Sequence, residues 1–514
     1  MIFYDEGQLV LEGRFTHEIW GLWIRSLAAP APVAQELRVK LLELIGAFGV
    51  TVAKPAHNAL LAVGLIFTDN SNYAALAVSA LAGTATVGMT YLIGEALFGA
   101  SVGLVGAFLL AVSPYHLLYS RETLSSAPAV FFWIAALWLL LRSGKVNTFL
   151  AGIACGLCSA CSYREVYIPA VVIALLAVGM AAKRVRMKET VVLAGLWLIG
   201  FAGVLCAFEV QYLVWLKAVS SLGVSYPHGT YFEQLRGLVT LNVGWGLSMK
   251  APWAFGYYLW RWEGVGSLVL FLVALAFALR NLLTGGVLPL LICFGIPWLM
   301  FSVYFVSLSR FYVPLIPLVA LMEGRLIMAV VRWSGARGKL SLGFCMAVAM
   351  VILSLPNTLV TIHRSSPYVA VTDFMNRHSP VGNLSSNPLC TGGMDSSAGT
   401  SFAIPASREE VLELYRRGIR FVVVDLNVIF GGYGEDENRR ATLEWTMQYS
   451  TSVFEAPYTS LALSQYVHEQ FIPLASAISL IGKYRGTKPS ITVYEMRFPA
   501  QVLGRNAGQA RMVE

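Results

Sequence analysis

Two adjacent carboxylates, Asp5 and Glu6, stand at the start of a chain whose remainder is strongly apolar. A carboxylate can act as general base on an acceptor hydroxyl, and a neighbouring one can orient it or hold a divalent metal ion. We therefore take Asp5 as the candidate general base and Glu6 as its support. A divalent cation is the cofactor that this pair could hold.

Five basic residues form a second candidate group, because each lies where the topology derived below predicts an extracytoplasmic segment. They are Lys54, His57, Arg121, Arg164 and Arg310. Together they predict a polyanion site, since Arg and Lys bind phosphate through charge-assisted hydrogen bonds. Taken singly, each has a simpler explanation. Arg121 with Glu122, and Arg164 with Glu165, could each form a neutralised surface pair, and Arg310 could extend to the lipid headgroups.

The composition decides which elements must position these groups. The chain has 514 residues, of which 57% are hydrophobic and 13% are charged. Soluble domains are about 45–50% apolar and about 25% charged, so this pattern predicts a polytopic membrane protein with soluble parts. The net charge of +8 lies largely in short loops between apolar segments. Membrane topology explains that charge, and we predict no nucleic-acid partner.

Ten apolar stretches are long enough, or nearly long enough, to cross a bilayer. They are residues 72–95, 101–118, 126–142, 148–163, 166–182, 189–216, 264–279, 283–306, 311–332 and 340–362. The positive-inside rule orients them, because one orientation places all four basic loops in the cytoplasm. Those loops are 142–145, 183–188, 280 and 332–339.

The opposite, extracytoplasmic face then carries every candidate site residue. Because this orientation places residue 1 outside, we expect a further membrane helix before it. If residues 37–53 crossed the membrane instead, the orientation would invert, but Glu43 and two flanking lysines make that segment a poor span. The long external segment 217–263 holds seven aromatics within 245–262. They predict an interfacial helix, a platform for a sugar or lipid chain, or both.

Five segments then carry a resemblance to a known family. They are YDEGQLVLEGR (4–14), AKPAHNALLAVGLIF (53–67), SALAGTATVGMTYLIGEALFG (79–99), LLAVSPYHLLYSRETLS (109–125) and SRFYVPLIPLVAL (309–321). In this order they resemble the lipid-linked-sugar glycosyltransferases of the GT-C fold, in particular glycosyltransferase family 39. That family contains the protein O-mannosyltransferases and the bacterial aminoarabinose transferases. The resemblance covers about residues 4–330.

The resemblance also implies roles for single residues. Asp5, followed by Glu6, would be the catalytic acidic residue of the first external loop. The Lys54-Pro55 pair would face the donor phosphate, and Arg121 would be the external arginine after the Ser-Pro segment. Members often have a second acid near that turn. The candidate here is Glu122, because position 126, where an Asp is often found, is Ser126.

The predicted fold is an α-helical polytopic membrane protein, GT-C-like, with a small C-terminal α/β extracytoplasmic domain. Residues 1–71 would form the first external loop with the acidic pair, and 72–362 a domain of about ten membrane helices. Residues 363–514 would form the soluble domain. There, 407–427 predicts a helix capped by Ser407 and then a strand, and 490–498 predicts another strand.

The predicted function is transfer of a hexosyl or pentosyl group from a polyprenyl-phosphate-sugar donor. The acceptor would be a lipid, glycan or protein on the extracytoplasmic face of the plasma membrane, with membrane lipids around the protein. One alternative is a transporter or flippase of a lipid-linked saccharide, which usually has ionisable residues near the bilayer midplane. Glu209 and Glu323 are the main such residues here. A non-catalytic scaffold would need neither the acidic pair nor the arginines.

Overall fold

The fold is described from a computed structural model. It describes residues 2–48, 54–68, 71–122, 124–142, 144–181, 186–220, 230–242, 251–303, 309–335, 352, 355, 358–359, 367–378, 381–386, 400–425, 437–457 and 490–504. The chain forms two compact units, one of residues 9–363 and one of residues 1–8 with 364–514. The division therefore falls within the first helix, just before Leu9.

The larger unit is helical. Its elements are α1 (Ile2–Ala28), α2 (Ala31–Phe48), α3 (Pro55–Gly64), α4 (Ser71–Phe98), α5 (Ala100–Val112), α6 (Pro114–Ser120), α7 (Ser126–Leu141), α8 (Lys145–Cys161), α9 (Ile168–Ala181), α10 (Met187–Ser220), α11 (Tyr231–Asn242), α12 (Ala251–Glu263), α13 (Val265–Arg280), α14 (Val287–Val303), the 3-10 helix η1 (Ser309–Leu315) and α15 (Ile316–Gly335). Nine of the ten predicted stretches coincide with these helices. Most of the tenth, 340–362, lies outside the described residues.

Three of the described helical segments are long and apolar enough to cross a membrane. They are Tyr73–Phe98, Met187–Lys217 and Ser309–Ser334. The bent pair α5 and α6 would make a fourth. Several other apolar helices, such as α7 and α13, are shorter. The unit therefore combines full-length membrane helices with shorter apolar ones packed among them.

The predicted apolar stretch 101–118 is divided between two helices, α5 and α6. The chain bends by 64° between α5 and α6. Pro114 is the first residue of α6, a position that tolerates proline because its missing N–H would be unpaired there anyway. The Ser113 hydroxyl accepts a hydrogen bond from the His116 backbone N–H at 3.0 Å and so caps the new helix.

Glycines let α8 and α10 approach at backbone distance. A Cβ added to Gly152 would lie 2.2 Å from the Trp197 carbonyl oxygen, and one added to Gly200 would lie 2.4 Å from that of Phe149. Small residues at such crossings are typical of membrane helices, because association there depends on van der Waals packing. This contact fixes α8, whose far end carries part of the site described below.

The smaller unit contains a five-stranded mixed sheet in the order β2-β1-β3-β5-β4. The strands are β1 (Gly382–Ser385), β2 (Thr400–Ala403), β3 (Phe421–Asp425), β4 (Ser450–Pro457) and β5 (Ser490–Met496). The pairs β1–β2 and β1–β3 are parallel, and the pairs β3–β5 and β4–β5 are antiparallel. Its helices are α16 (Pro367–His378), α17 (Arg408–Arg416), α18 (Glu437–Met447) and α19 (Ala500–Gly504).

Alternation along the strands gives this sheet two apolar faces. Val422 and Val424 pack with Val411 of α17 in one core, and Val423 packs with Val371 of α16 in the other. The predicted α/β domain is thus observed, and Ser407 caps α17 by accepting a hydrogen bond from the Glu410 N–H at 3.3 Å.

Candidate functional site

The site is built around η1, which leads directly into α15. All seven residues of η1 are buried, including Arg310 with 5% of its surface exposed. A guanidinium keeps its charge at any physiological pH. The segment therefore places a permanent positive charge inside the helical unit.

Two tyrosines of α6 hold the start of η1. The Tyr115 hydroxyl donates to the Ser309 carbonyl oxygen at 2.5 Å, and the Tyr119 hydroxyl is hydrogen-bonded to the Ser309 hydroxyl. Both tyrosines and Ser309 are almost completely buried. The tyrosines are four residues apart, so they share one face of α6. Ser309 immediately precedes Arg310, and its position constrains the arginine.

The turn between α8 and α9 places a second arginine beside η1. The Arg164 guanidinium lies over the Phe311 ring, 4.4 Å from its centroid, and over Tyr163 at 5.1 Å. Such cation–π contacts hold the guanidinium through its flat face. Its N–H groups lie in the plane of the guanidinium and so point away from the ring beneath it. Because Phe311 follows Arg310, the structure brings two of the predicted cations together at one segment.

A buried acid, Glu165, stands next to Arg164 in the same turn, with 5% of its surface exposed. Burial raises the pKa of this carboxyl to about 7, while Tyr167, Arg164 and Ser162 favour its charged form and limit the shift. The interpretation of Arg164 and Glu165 as an ordinary surface pair does not describe this geometry. The acid is a group that can change its charge near neutral pH.

Lys54 joins this region through α3, which packs on α8. Lys54 is the residue that precedes α3, Pro55 is the first residue of that helix, and the lysine is buried with 7% exposed. Its ammonium and the Glu165 carboxylate both lie within electrostatic range of the Cys161 thiol. Because Cys161 is the last residue of α8, the lysine lies towards the end of α8 that leads into the turn of Arg164. His57 is fully buried on α3.

Aromatic rings pack against η1 and against the turn after α8. Tyr167 packs edge-on against Trp133 and Phe301, with both centroid distances 5.4 Å. From the predicted aromatic segment, Tyr258 is completely buried and lies 5.7 Å from Tyr312 of η1. Part of that segment is therefore core of the site, whereas residues 245–250 lie outside the described residues.

Arg121 and Glu122 follow directly on α6. Arg121 ends the helix, with its N–H bonded to the Leu118 carbonyl at 3.1 Å, and its side chain is exposed. Glu122 is half-buried. Ser126 is the first residue of α7. The α6 tyrosines thus link the turn that carries Arg121 to the segment that carries Arg310.

Asp5 and Glu6 lie in α1, but their side chains are outside the described residues. Residues 1–8 also belong to the smaller unit. Their predicted roles therefore remain predictions.

Sequence reasoning gave no site role to Ser309 or to the two α6 tyrosines, and it took Glu165 only as a surface partner of Arg164. The signal that could have found the tyrosines is their four-residue spacing in SPYHLLYS, which places both hydroxyls on one face of a helix. The burial of Glu165 depends on packing of α3, α8 and η1, which the sequence does not display.

Known proteins can be compared with this geometry. Residues 53–206 match the protein family described as dolichyl-phosphate-mannose-protein mannosyltransferase. The oligosaccharyltransferase of Archaeoglobus fulgidus, solved with a tethered acceptor peptide, superposes with a TM-score of 0.56 at 12% identity, covering 87% of this chain and 80% of that one. The chain has the GT-C fold. ArnT from Cupriavidus metallidurans, bound to undecaprenyl phosphate, gives 0.50 at 13% identity, covering 76% and 88%. Among curated proteins there is no match.

The predicted fold and enzyme class are confirmed. The matched family and these solved structures are glycosyltransferases of the GT-C group, and the candidate membrane helices agree with a membrane protein. The segment of this GT-C chain that matches the family begins at the residue before Lys54 and includes Arg121 and Arg164.

A metal ion is present in one of the compared structures. One A. fulgidus oligosaccharyltransferase structure is a complex with Zn and sulfate. In this chain, no group of three or more His, Cys, Asp or Glu that could hold a metal occurs among the residues that the structure describes. The side chains of Asp5 and Glu6 fall outside that set.

Proposed function

We propose that the chain transfers a sugar from a polyprenyl-phosphate-linked donor to an acceptor on the extracytoplasmic face of the plasma membrane. The observation that carries this is the position of the Arg164 guanidinium over Phe311, directly beside the buried Arg310. Lys54, buried at the start of α3, which packs on the helix leading to Arg164, is the third cation of this region. Three cations so placed fit a phosphate at a lipid boundary. A second A. fulgidus structure contains a dolichol-phosphate, and the ArnT structure contains undecaprenyl phosphate.

In the proposed reaction an acceptor hydroxyl or amine attacks the anomeric carbon of the donor sugar. The bond between that carbon and the phosphate oxygen breaks, and the lipid phosphate leaves with the bonding electron pair. Arg310 and Arg164 stabilise the charge that develops on the phosphate, with Lys54 and Arg121 as further cations. This interaction grows as the bond breaks, so it lowers the barrier and does not merely bind the donor.

The acceptor proton goes to Asp5 in this proposal, with Glu6 orienting it or sharing a divalent cation. Glu122 is the candidate second acid of the turn after α6. The support is the resemblance of segment 4–14 to the acidic first external loop of family 39 and the chemical need for a base that takes the acceptor proton. Glycosyl transfer in a chelator such as EDTA tests the cation: unchanged rates would remove it from the proposal.

The decisive experiment measures donor binding in lipid nanodiscs. We expect the protein to bind undecaprenyl phosphate or dolichyl phosphate but not the corresponding alcohol. Arg310→Gln should weaken binding about tenfold to a hundredfold, the effect of losing a charged hydrogen bond. Arg325→Gln is the matched control, because Arg325 lies on α15 but stacks on Phe98 and Phe277. Equal binding of the alcohol, or equal losses in both variants, would refute the phosphate site.

Transfer itself is tested with Asp5→Asn. We expect this variant to bind the donor lipid normally and to transfer no sugar from it in membranes supplied with lipid-linked donors. Near-normal transfer would exclude Asp5 as the base. Lipid movement across proteoliposomes without any sugar transfer would instead support the flippase alternative.

A further inference from the structure

A buried carboxylate, Glu263, lies at the break between α5 and α6. It is the last residue of α12, with 7% of its surface exposed. Its Oε1 accepts a hydrogen bond from the Ser113 hydroxyl and another, at 3.3 Å, from the Tyr115 backbone N–H. Gly264 ends α12 with φ +94°, a left-handed conformation that favours glycine and lets α13 begin directly after the acid.

Glu263 and the preceding residue, Trp262, hold the beginning of α6. The first N–H groups of a helix have no partner within the helix, and an acceptor there satisfies them. A helix of seven residues does not form stably by itself, so its position depends on such contacts. The Trp262 ring lies 6.3 Å from the Tyr115 ring and adds an apolar contact at the same point.

The other contacts of α6 lead to the phosphate site. The ring of Tyr115 packs against that of Tyr119 at 5.8 Å, and both hydroxyls bind Ser309. A continuous set of hydrogen bonds and ring contacts therefore runs from Glu263 to the residue before Arg310.

We propose that Glu263 is a positioning residue for the donor phosphate: by fixing the start of α6 it fixes the tyrosines that set Ser309, and hence Arg310. This inference rests on the proposed function. It gives α12 a defined part in donor binding, although none of the contacts described above joins α12 to Arg164 or Lys54. The role requires a hydrogen-bond acceptor at Glu263, not a particular volume.

The structure supplies a close control. Glu323 of α15 is also buried and lines the same cavity of about 30 Å³ as Glu263 and Ser113. Among the described contacts, however, Glu323 makes no hydrogen bond to α6. Replacing it removes a carboxyl from the same cavity and leaves the contacts of α6 in place.

The test compares Glu263→Gln, Glu263→Leu and Glu323→Gln in the nanodisc assay for undecaprenyl phosphate. Glutamine keeps an acceptor oxygen, so Glu263→Gln should retain donor affinity. Leucine keeps the volume but not the acceptor, and it should bind about tenfold more weakly, in line with a lost buried hydrogen bond. Glu323→Gln should behave as wild type. Thermal unfolding of each variant reports whether it is folded.

A double-mutant cycle separates positioning from general destabilisation. Tyr115→Phe removes the hydroxyl that binds Ser309, and its loss of affinity should not add to that of Glu263→Leu, because both act on one path. If Glu263→Leu does not fold, Ser113→Ala, which removes the donor to Glu263, replaces it in the cycle. Full donor affinity in the leucine variant, or strictly additive losses, would overturn the inference even if Arg310→Gln abolished binding. No binding by the wild type would instead overturn the proposed function.

Discussion

The crossing of α8 and α10 offers a test of whether backbone contact between helices positions the site. In Gly152→Ala the new Cβ would start 2.2 Å from the Trp197 carbonyl oxygen, and an ordinary contact begins at 3.4 Å. The helices must therefore separate locally by about 1.2 Å, or the backbone must distort. Overpacking of this kind typically costs about 1–3 kcal/mol. We expect a thermal midpoint several degrees lower and weaker binding of undecaprenyl phosphate, because α8 leads into the turn of Arg164.

The matched control is Gly203→Ala on α10, where an added Cβ meets nothing within 4 Å. Alanine there should leave stability unchanged or raise it by up to about 1 kcal/mol through its helix propensity. Both variants are compared by thermal unfolding and by retention of the monodisperse peak after heating in the same detergent. Equal midpoints for the two variants would refute the reasoning, because helix contact at Gly152 is the only difference that it invokes.

Two further predictions concern Glu165 and Ser407. Burial raises the Glu165 pKa from 4.5 to about 7, so the folded state favours the protonated carboxyl. The contribution of this group to the free energy of unfolding is therefore complete below pH 4.5 and is lost as the pH rises through 7. The loss amounts to about 3 kcal/mol. The thermal midpoint of the wild type should therefore fall between pH 5 and 8, and that of Glu165→Gln should fall less, because glutamine does not titrate. A parallel fall in variant and wild type would contradict this prediction. Ser407→Ala should lose the cap of α17 and about 1 kcal/mol, seen as roughly fivefold faster hydrogen exchange at 408–416, with exchange in α16 as the internal control.

Helix positions could be predicted well because apolar runs follow directly from the requirement to bury or dissolve a helix in lipid. The stretch expected at 126–142 forms α7 at Ser126–Leu141, and that expected at 264–279 forms α13 at Val265–Arg280. In the smaller unit, the Ser407 cap and the strand at 490–496 could be predicted equally well, because capping and alternation are local properties.

The break at Ser113 was less accessible, because hydrophobicity continues through it. The Ser-Pro pair is a helix start signal, but an apolar window does not register where a helix changes direction. For the site, the misplaced charges at Arg310 and Arg164 were visible in the sequence. Their meeting through Phe311 was not, because contacts between residues 147 positions apart depend on the packing of several helices.

The 64° turn at the end of α5 has a consequence for how this chain can vary. Seven helical residues extend about 10 Å, and at that angle about 9 Å of the length points sideways, towards η1. One residue more or fewer between Pro114 and Tyr119 would rotate the second hydroxyl by about 100° around the helix axis and carry it off Ser309. Insertions and deletions should therefore be tolerated poorly in this short stretch, even at positions where single substitutions are tolerated well. The length of α6, more than the identity of its outward-facing residues, is the property that related chains of this architecture would have to keep.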